Sequence, residues 1–400
     1  MKAACLDVGS TDTKLAVVDT GTGDLLSTGT HPTTLGTDVL HGVDALLAAA
    51  GPVDHVYCCS SAGGGLRLAV IGFEALVSAD AAHRVALSAG ARVVHIATGA
   101  LTTAAVAALK NAKPDVVLLA GGTDGGEADT IRHNAHRLAT ARWKVPVVVA
   151  GNADTRDDIV GLLAGRGLPV AAAGNVLPRI GVTDPAPARA AIREQFIRHV
   201  IGGKRLSKGP RFGRLVSAAT PDAVLTGVGV LARAAGGDLL VVDVGGATTD
   251  VYSALQPGET PQDAVAGVLW HLRTVEGDLG VRWNVDGIRA AAARERIAVG
   301  DGPLGLAAAA VTVAVRRHTR GGRDLRHVAT VVASGGVFRH AEPAAARAAL
   351  TPALTDHAGG WALPRAPRTT IDTTYILAAA GLLAGDHPDA ALTLCRTLTA

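Results

Sequence analysis

Aromatic side chains are scarce in this chain, 3% of 400 residues, and there is a single methionine. Its apolar share, 48%, therefore comes largely from Ala, Val and Leu, beside 49 glycines. That is enough to bury a sizeable interior. No apolar run approaches the roughly 18 residues that a membrane-spanning helix needs, so no membrane association is expected. Neither charge sign dominates: 38 basic and 35 acidic residues leave a net charge of +3, spread along the chain without the footprint that nucleic acid requires. Cysteine is limited to Cys5, Cys58, Cys59 and Cys395, with no CxxC or Cys/His metal spacing, and these read as small core residues. The chain enters an apolar strand at Ala3 with no basic stretch and long apolar core before it. A cytoplasmic protein is expected.

Two short stretches carry recognisable chemistry. The first is Asp7-Val8-Gly9-Ser10-Thr11 after the apolar Ala3-Ala4-Cys5-Leu6, and a second apolar run, Leu15 to Val18, follows it. The other is Asp243-Val244-Gly245-Gly246-Ala247-Thr248-Thr249-Asp250, reached from Leu239-Leu240-Val241-Val242. Both read as a buried strand, a tight glycine turn and a returning strand. A P-loop differs, since its glycine loop enters a helix and carries Gly-Lys-Ser/Thr. A carboxylate, exposed amides and hydroxyls at one strand end suit a hydrated Mg²⁺ and phosphate oxygens. If the two turns face each other across two half-domains, they can grip ATP from opposite sides, with Asp7 and Asp243 as the metal-directed carboxylates. Lys14 is near in sequence, but strand alternation is expected to turn it away, so it is given little weight.

These two motifs resemble the phosphate motifs of the superfamily of acetate and sugar kinases, heat-shock chaperones and actin, and Ser334-Gly335-Gly336-Val337 resembles its adenosine motif. The resemblance implies an α/β protein with two ribonuclease-H-like, actin-like ATPase lobes. On it, Asp7, Asp243 and Thr248 are the expected catalytic residues. Gly9, Ser10 and Thr11 would bind phosphate from one lobe and Gly245, Gly246 and Ala247 from the other, with Gly335 and Gly336 against the nucleoside. Position 247 is Ala where a third glycine is common in the chaperone motif, so a right-handed or extended backbone is expected there.

A narrower resemblance covers nearly the whole chain. Ser60 to Arg67, Leu118 to Gly126, Val148 to Asn152 and Arg273-Thr274-Val275-Glu276-Gly277-Asp278-Leu279-Gly280 are similar to the MutL proteins associated with adenosylcobalamin-dependent glutamate mutase. These are unrelated to the mismatch-repair protein of the same name. The resemblance implies an ATP-dependent accessory or reactivating protein whose partners are the subunits of a cobalamin-dependent mutase. Two other readings stay open, a small-molecule kinase on the same scaffold and a nucleotide-binding scaffold without turnover.

Expected organisation is a first lobe from 1–65, an inserted parallel-sheet βα region at 66–180, a helical connection at 181–237 and a second lobe at 238–400. Glycine turns at 121–126 and 151–152 fall where helices follow strands. They read either as turns or as a second functional surface. The basic stretch 204–214 reads as a solvated loop or a docking patch, and Glu276 with Asp278 as a plain turn or a contribution to metal or water.

Overall fold

The computed structural model describes residues 1–64, 66–201, 206–256, 269–320, 323–357 and 359–399. Its strands are, in chain order, β1 (Lys2–Val8), β2 (Asp12–Asp19), β3 (Leu25–Pro32), β4 (His55–Ser60), β5 (Leu66–Gly72), β6 (Ala91–Thr98), β7 (Val116–Leu119), β8 (Val147–Val149), β9 (Val170–Ala172), β10 (Val216–Ala219), β11 (Leu239–Val244), β12 (Thr249–Ala254), β13 (His271–Glu276), β14 (Thr330–Ser334) and β15 (Arg368–Ile371). They form three five-stranded sheets.

Two of the sheets share one plan. The first runs β3-β2-β1-β4-β10 and the second β13-β12-β11-β14-β15. In each, three antiparallel strands are followed by two parallel ones. This is the ribonuclease-H-like order, used twice, and the fold is that of the actin-like ATPases. β-strand alternation explains how the lobes join. Ala4, Leu6 and Val8 of β1 pack into the first lobe, whereas Ala3 and Cys5 face a shared core. In β11, Leu240, Val242 and Val244 serve the second lobe while Leu239 and Val241 face that same shared core. Helices Thr220–Ala235 and Ile376–Leu383 fill it. They touch backbone to backbone: a Cβ on Gly227 would lie 1.9 Å from the Leu377 carbonyl oxygen, and one on Gly381 1.8 Å from that of Ala223. Gly385 has open space and no such role.

The third sheet is parallel throughout, in the order β6-β5-β7-β8-β9, a doubly wound arrangement. β5 is buried along nearly its whole length, which removes the alternation by which a strand is read from sequence. The stretch expected as a helical connection, 181–237, also contains β10, the fifth strand of the first sheet. Its Val-Ser-Ala-Ala sequence carries no strand signal.

The glycine turns of the insert lock onto each other. Gly121 and Gly122 take φ of 143° and 70°. Asn152 donates to the carbonyls of Gly126 and Glu127, Asn175 to those of Gly122 and to Asp124, and Asp124 accepts from the Ala153 amide. Within the basic stretch, Lys204 and Arg205 lie outside the described residues. Arg211 forms a two-point pair with Asp44 at 2.9 and 2.6 Å, and Ser207 and Lys208 bond to Asp38, which caps helix Val39–Ala50. All four cysteines are free and buried. Among the described residues, no helix is long and apolar enough to cross a membrane.

Candidate functional site

Each lobe places a hairpin turn at the end of its central strand, and the two turns close alike. The Gly9 amide donates to the Asp12 carbonyl at 3.0 Å, and the Gly245 amide to the Thr248 carbonyl at 2.9 Å. Neither glycine has positive φ. Glycine is required by crowding instead: a Cβ at Gly9 would sit 2.8 Å from the Asp12 carbonyl oxygen. Ala247 likewise avoids positive φ, as its side chain demands. Ser10 and Thr11 are exposed at the tip of the first turn.

The second turn is held from behind by the loop after β13. Val281 donates to the Gly245 carbonyl at 3.2 Å, Arg282 and Trp283 to that of Gly246 at 3.0 and 2.8 Å, and Asn284 Nδ2 to that of Ala247 at 2.6 Å. Gly280 makes room for this, since a Cβ there would fall 2.2 Å from the Ala247 carbonyl carbon. Three consecutive carbonyls thus point into the loop. Because a trans peptide sets N–H opposite C=O, the amides of Gly246, Ala247 and Thr248 point the other way. Glu276 and Asp278 both bond to Arg317 Nη1, at 2.6 and 3.1 Å.

Asp7 is paired with a lysine whose charge Asp243 also feels. Asp7 pairs across its hairpin with Lys14, and Lys14 Nζ lies 3.8 Å from Asp7 Oδ2. Burial pulls the Lys14 ammonium down, yet Asp7, Asp243, Tyr375 and Asp12 together more than offset this and hold it above its ordinary value. Asp243 is pushed up to about 6 by burial, against the pull of Lys14, with Asp250, Asp372 and Asp7 adding to the rise. The expectation that Lys14 turns away is therefore corrected. Residues directly opposed on antiparallel strands share a face, so a lysine facing Asp7 goes wherever Asp7 goes.

Other groups complete the cluster. Thr220, at the start of its helix, donates to Asp7 Oδ1 at 2.6 Å, and the Cys59 thiol lies 3.7 Å from the same oxygen. Tyr375 has φ of 55°, an uncommon conformation for a bulky residue, and its ring is flanked by Lys14 at 4.0 Å and Arg339 at 4.8 Å. Asp372, buried, accepts from the amides of Thr374 and Ile376. Its carboxyl is raised by burial, against those amide bonds and Lys14. Gly335 has φ of 112° and approaches β11 so closely that a Cβ would lie 2.2 Å from the Val244 carbonyl oxygen. Gly336 opens the helical turn Gly336–Arg339 beside the Tyr375 hydroxyl. The Thr248 hydroxyl bonds to Asp250 Oδ2 at 3.2 Å. Lys14, Thr220, Tyr375, Arg339 and Asp372 were not among the residues singled out for this site, and only Lys14 had a readable signal.

A family model described as "MutL protein" matches residues 3–303 and 301–398. The chain is also 34% identical to "Protein MutL" of Clostridium tetanomorphum, over 98% of this chain and 97% of that protein. The chain belongs to the MutL protein family. Among solved structures, this MutL-family chain is similar to nucleotide-free acetone carboxylase, described for ATP-dependent acetone carboxylation, with 15% identity, a TM-score of 0.42 and coverage of 96% of this chain and 71% of that one. It is also similar to the activator of 2-hydroxyisocaproyl-CoA dehydratase from Clostridium difficile, with bound ADPNP, at 11% identity, a TM-score of 0.33 and coverage of 98% and 96%.

Proposed function

We propose that this MutL-family chain binds ATP with Mg²⁺ between its two hairpin turns and hydrolyses it in the service of a partner, the subunits of an adenosylcobalamin-dependent mutase. The observation that carries the nucleotide reading is the second turn, where three pinned carbonyls leave the Gly246, Ala247 and Thr248 amides directed together, a donor set for phosphate oxygens. The first hairpin adds a cation, Lys14, which Asp7 faces and whose charge Asp243 feels. Gly335 and Gly336 would lie against the nucleoside, and Gly9, Ser10 and Thr11 against phosphate.

Mg²⁺ fits this donor set as a hydrated ion. Among the described residues, no group of three or more His, Cys, Asp or Glu side chains is placed to hold a metal by itself. Two carboxylates near the ends of the central strands would suit a cation that keeps most of its waters. When bound, Mg²⁺ would neutralise phosphate charge. The chain's own part is to hold Asp7 through Thr220, to keep Asp243 ionised beside Lys14 and to close the lobes around the helix pair. Nucleotide then acts on a partner only through different affinities for the open and closed forms.

The partner reading rests on family membership. The test is product analysis with Asp243→Ala as control. Free phosphate released by the wild type and lost in Asp243→Ala supports an ATPase. A phosphorylated metabolite would instead make the chain a kinase, and binding without turnover a scaffold. Turnover undiminished in Asp243→Ala removes the site from the argument. A cobalamin mutase retained by the chain with one nucleotide and not with the other would support the partner.

A further inference from the structure

The insert touches the supports of both turns at one glycine. Gly90, φ 76°, sits in the turn between helix Ser78–Ser88 and β6. On one side its carbonyl accepts from Arg273 Nη1 at 2.9 Å. Arg273 is 5% exposed, and its Nε donates to Asp250 Oδ1 at 2.7 Å. The other carboxylate oxygen of Asp250 accepts from Thr248 in the second turn. On the opposite side a Cβ at Gly90 would meet the Asp222 amide at 2.9 Å and Pro221 at 3.0 Å. Those two residues follow Thr220, which holds Asp7 of the first turn. Asp222 is itself fixed by Arg189 and Arg193 of helix Ala186–Gln195. Beyond Gly90, the Arg92 guanidinium packs against Gly277, with a closest approach of 3.5 Å to the site of a Cβ there.

Arg273 has no spare capacity for a surface role. Its guanidinium is divided between a carboxylate behind the second turn and a main-chain carbonyl in the turn before β6. A guanidinium fork can serve two such acceptors at once, whereas a lysine ammonium is a point charge on a flexible stem. The charge opposite Asp243 makes the arrangement consequential. Where the first hairpin sets Lys14 against Asp7, the second sets Asp250 against Asp243. Arg273 therefore supplies the countercharge for a carboxylate that would otherwise repel both Asp243 and phosphate.

We propose that Arg273 is a positioning residue of the nucleotide site that also ties the second turn to the insert, so that residues 88–92 of the insert respond to which nucleotide is bound. The proposal rests on the two turns being the nucleotide site. It makes the insert the element through which nucleotide state reaches a partner. Gly90 touches the supports of both turns, so a change in the distance between them would be felt there.

The test is hydrogen exchange on the full chain at saturating Mg²⁺–ADP and Mg²⁺–ADPNP, with binding followed separately by calorimetry. In the wild type, amides of residues 88–92 are expected to differ between the two nucleotides by about threefold or more in exchange rate. In Arg273→Lys at saturation, that difference is expected to vanish, because the lysine keeps a charge near Asp250 and gives up the fork. A purely structural arginine would raise exchange throughout and preserve the difference. Arg92→Ala, an exposed change suited to the case where Arg273→Lys does not fold, is expected to shrink the difference by about half. Nucleotide binding with no difference at 88–92, or a difference intact in Arg273→Lys or in Arg92→Ala, overturns the coupling. A wild-type chain that binds no nucleotide overturns the reading of the site itself, and the coupling with it.

Discussion

Asp7 and Lys14 face each other across the first hairpin, with 3.8 Å between Oδ2 and Nζ. The second hairpin repeats the backbone and reverses the charge, placing Asp250 opposite Asp243. One supersecondary unit thus occurs twice with opposite pairings: a lysine against Asp7 in the first hairpin, and in the second a carboxylate neutralised from behind by Arg273.

Lys14→Met should weaken ATP binding by roughly 10- to 100-fold, the loss of one charge-assisted contact of about 1.5–3 kcal/mol. Calorimetric titration of Mg²⁺–ATP checks it. An affinity within threefold of wild type would take Lys14 out of the site.

Asp243 gives a pH dependence of known sign. Its carboxyl is pushed up to about 6 from an ordinary value of 3.8, so the native chain holds a proton that the unfolded chain has lost between those values. Stability from this group is full below the ordinary value and is lost as pH rises through about 6. Asp243→Asn should therefore raise the melting temperature more at pH 8 than at pH 5. Mg²⁺ competes with the same proton, so metal-dependent nucleotide affinity should fall below about pH 6, by up to about tenfold per pH unit.

Gly381→Ala should destabilise the fold by about 1–3 kcal/mol or more, as overpacking does. The added methyl would fall 1.8 Å from the Ala223 carbonyl oxygen in the helix pair that joins the lobes. Urea unfolding measures it, and Gly385→Ala, in open space, serves as the control.

The two arginine pairings should differ sharply. Arg317, 18% exposed, pairs with Glu276, itself 15% exposed, so Arg317→Ala leaves that carboxylate without its partner in partial burial and should cost about 3 kcal/mol. Arg211 and Asp44 are 55% and 47% exposed, so Arg211→Ala should cost at most about 1 kcal/mol despite good geometry. Denaturant midpoints of the two variants separate these outcomes.

The turns were legible in the sequence because their chemistry is local. An apolar run ending in Asp, then glycine and hydroxyls, specifies a strand end and a tight return without help from distant residues. Lys14 was legible too, once register is considered instead of alternation, since a short turn between Val8 and Asp12 fixes Asp7 opposite Lys14. Tyr375, Thr220 and Arg339 were not, because each reaches the cluster from elements far along the chain. β5 and β10 were missed for opposite reasons. The first is buried on both faces and shows no period, and the second has too few branched residues to show one. The role of Glu276 was hidden by its partner, Arg317, which comes from a helix that starts after the loop ends.

The position of β10 has a consequence for biogenesis. It is the outermost strand of the first sheet and pairs with β4, yet the whole parallel insert is encoded between them. During vectorial synthesis the first lobe must wait, one edge bare, until Val216–Ala219 leaves the ribosome, by which time the intervening sheet can already have formed. Thr220, which follows directly and clasps Asp7, arrives in that same moment, so the Asp7 carboxylate is secured only as the lobe is sealed.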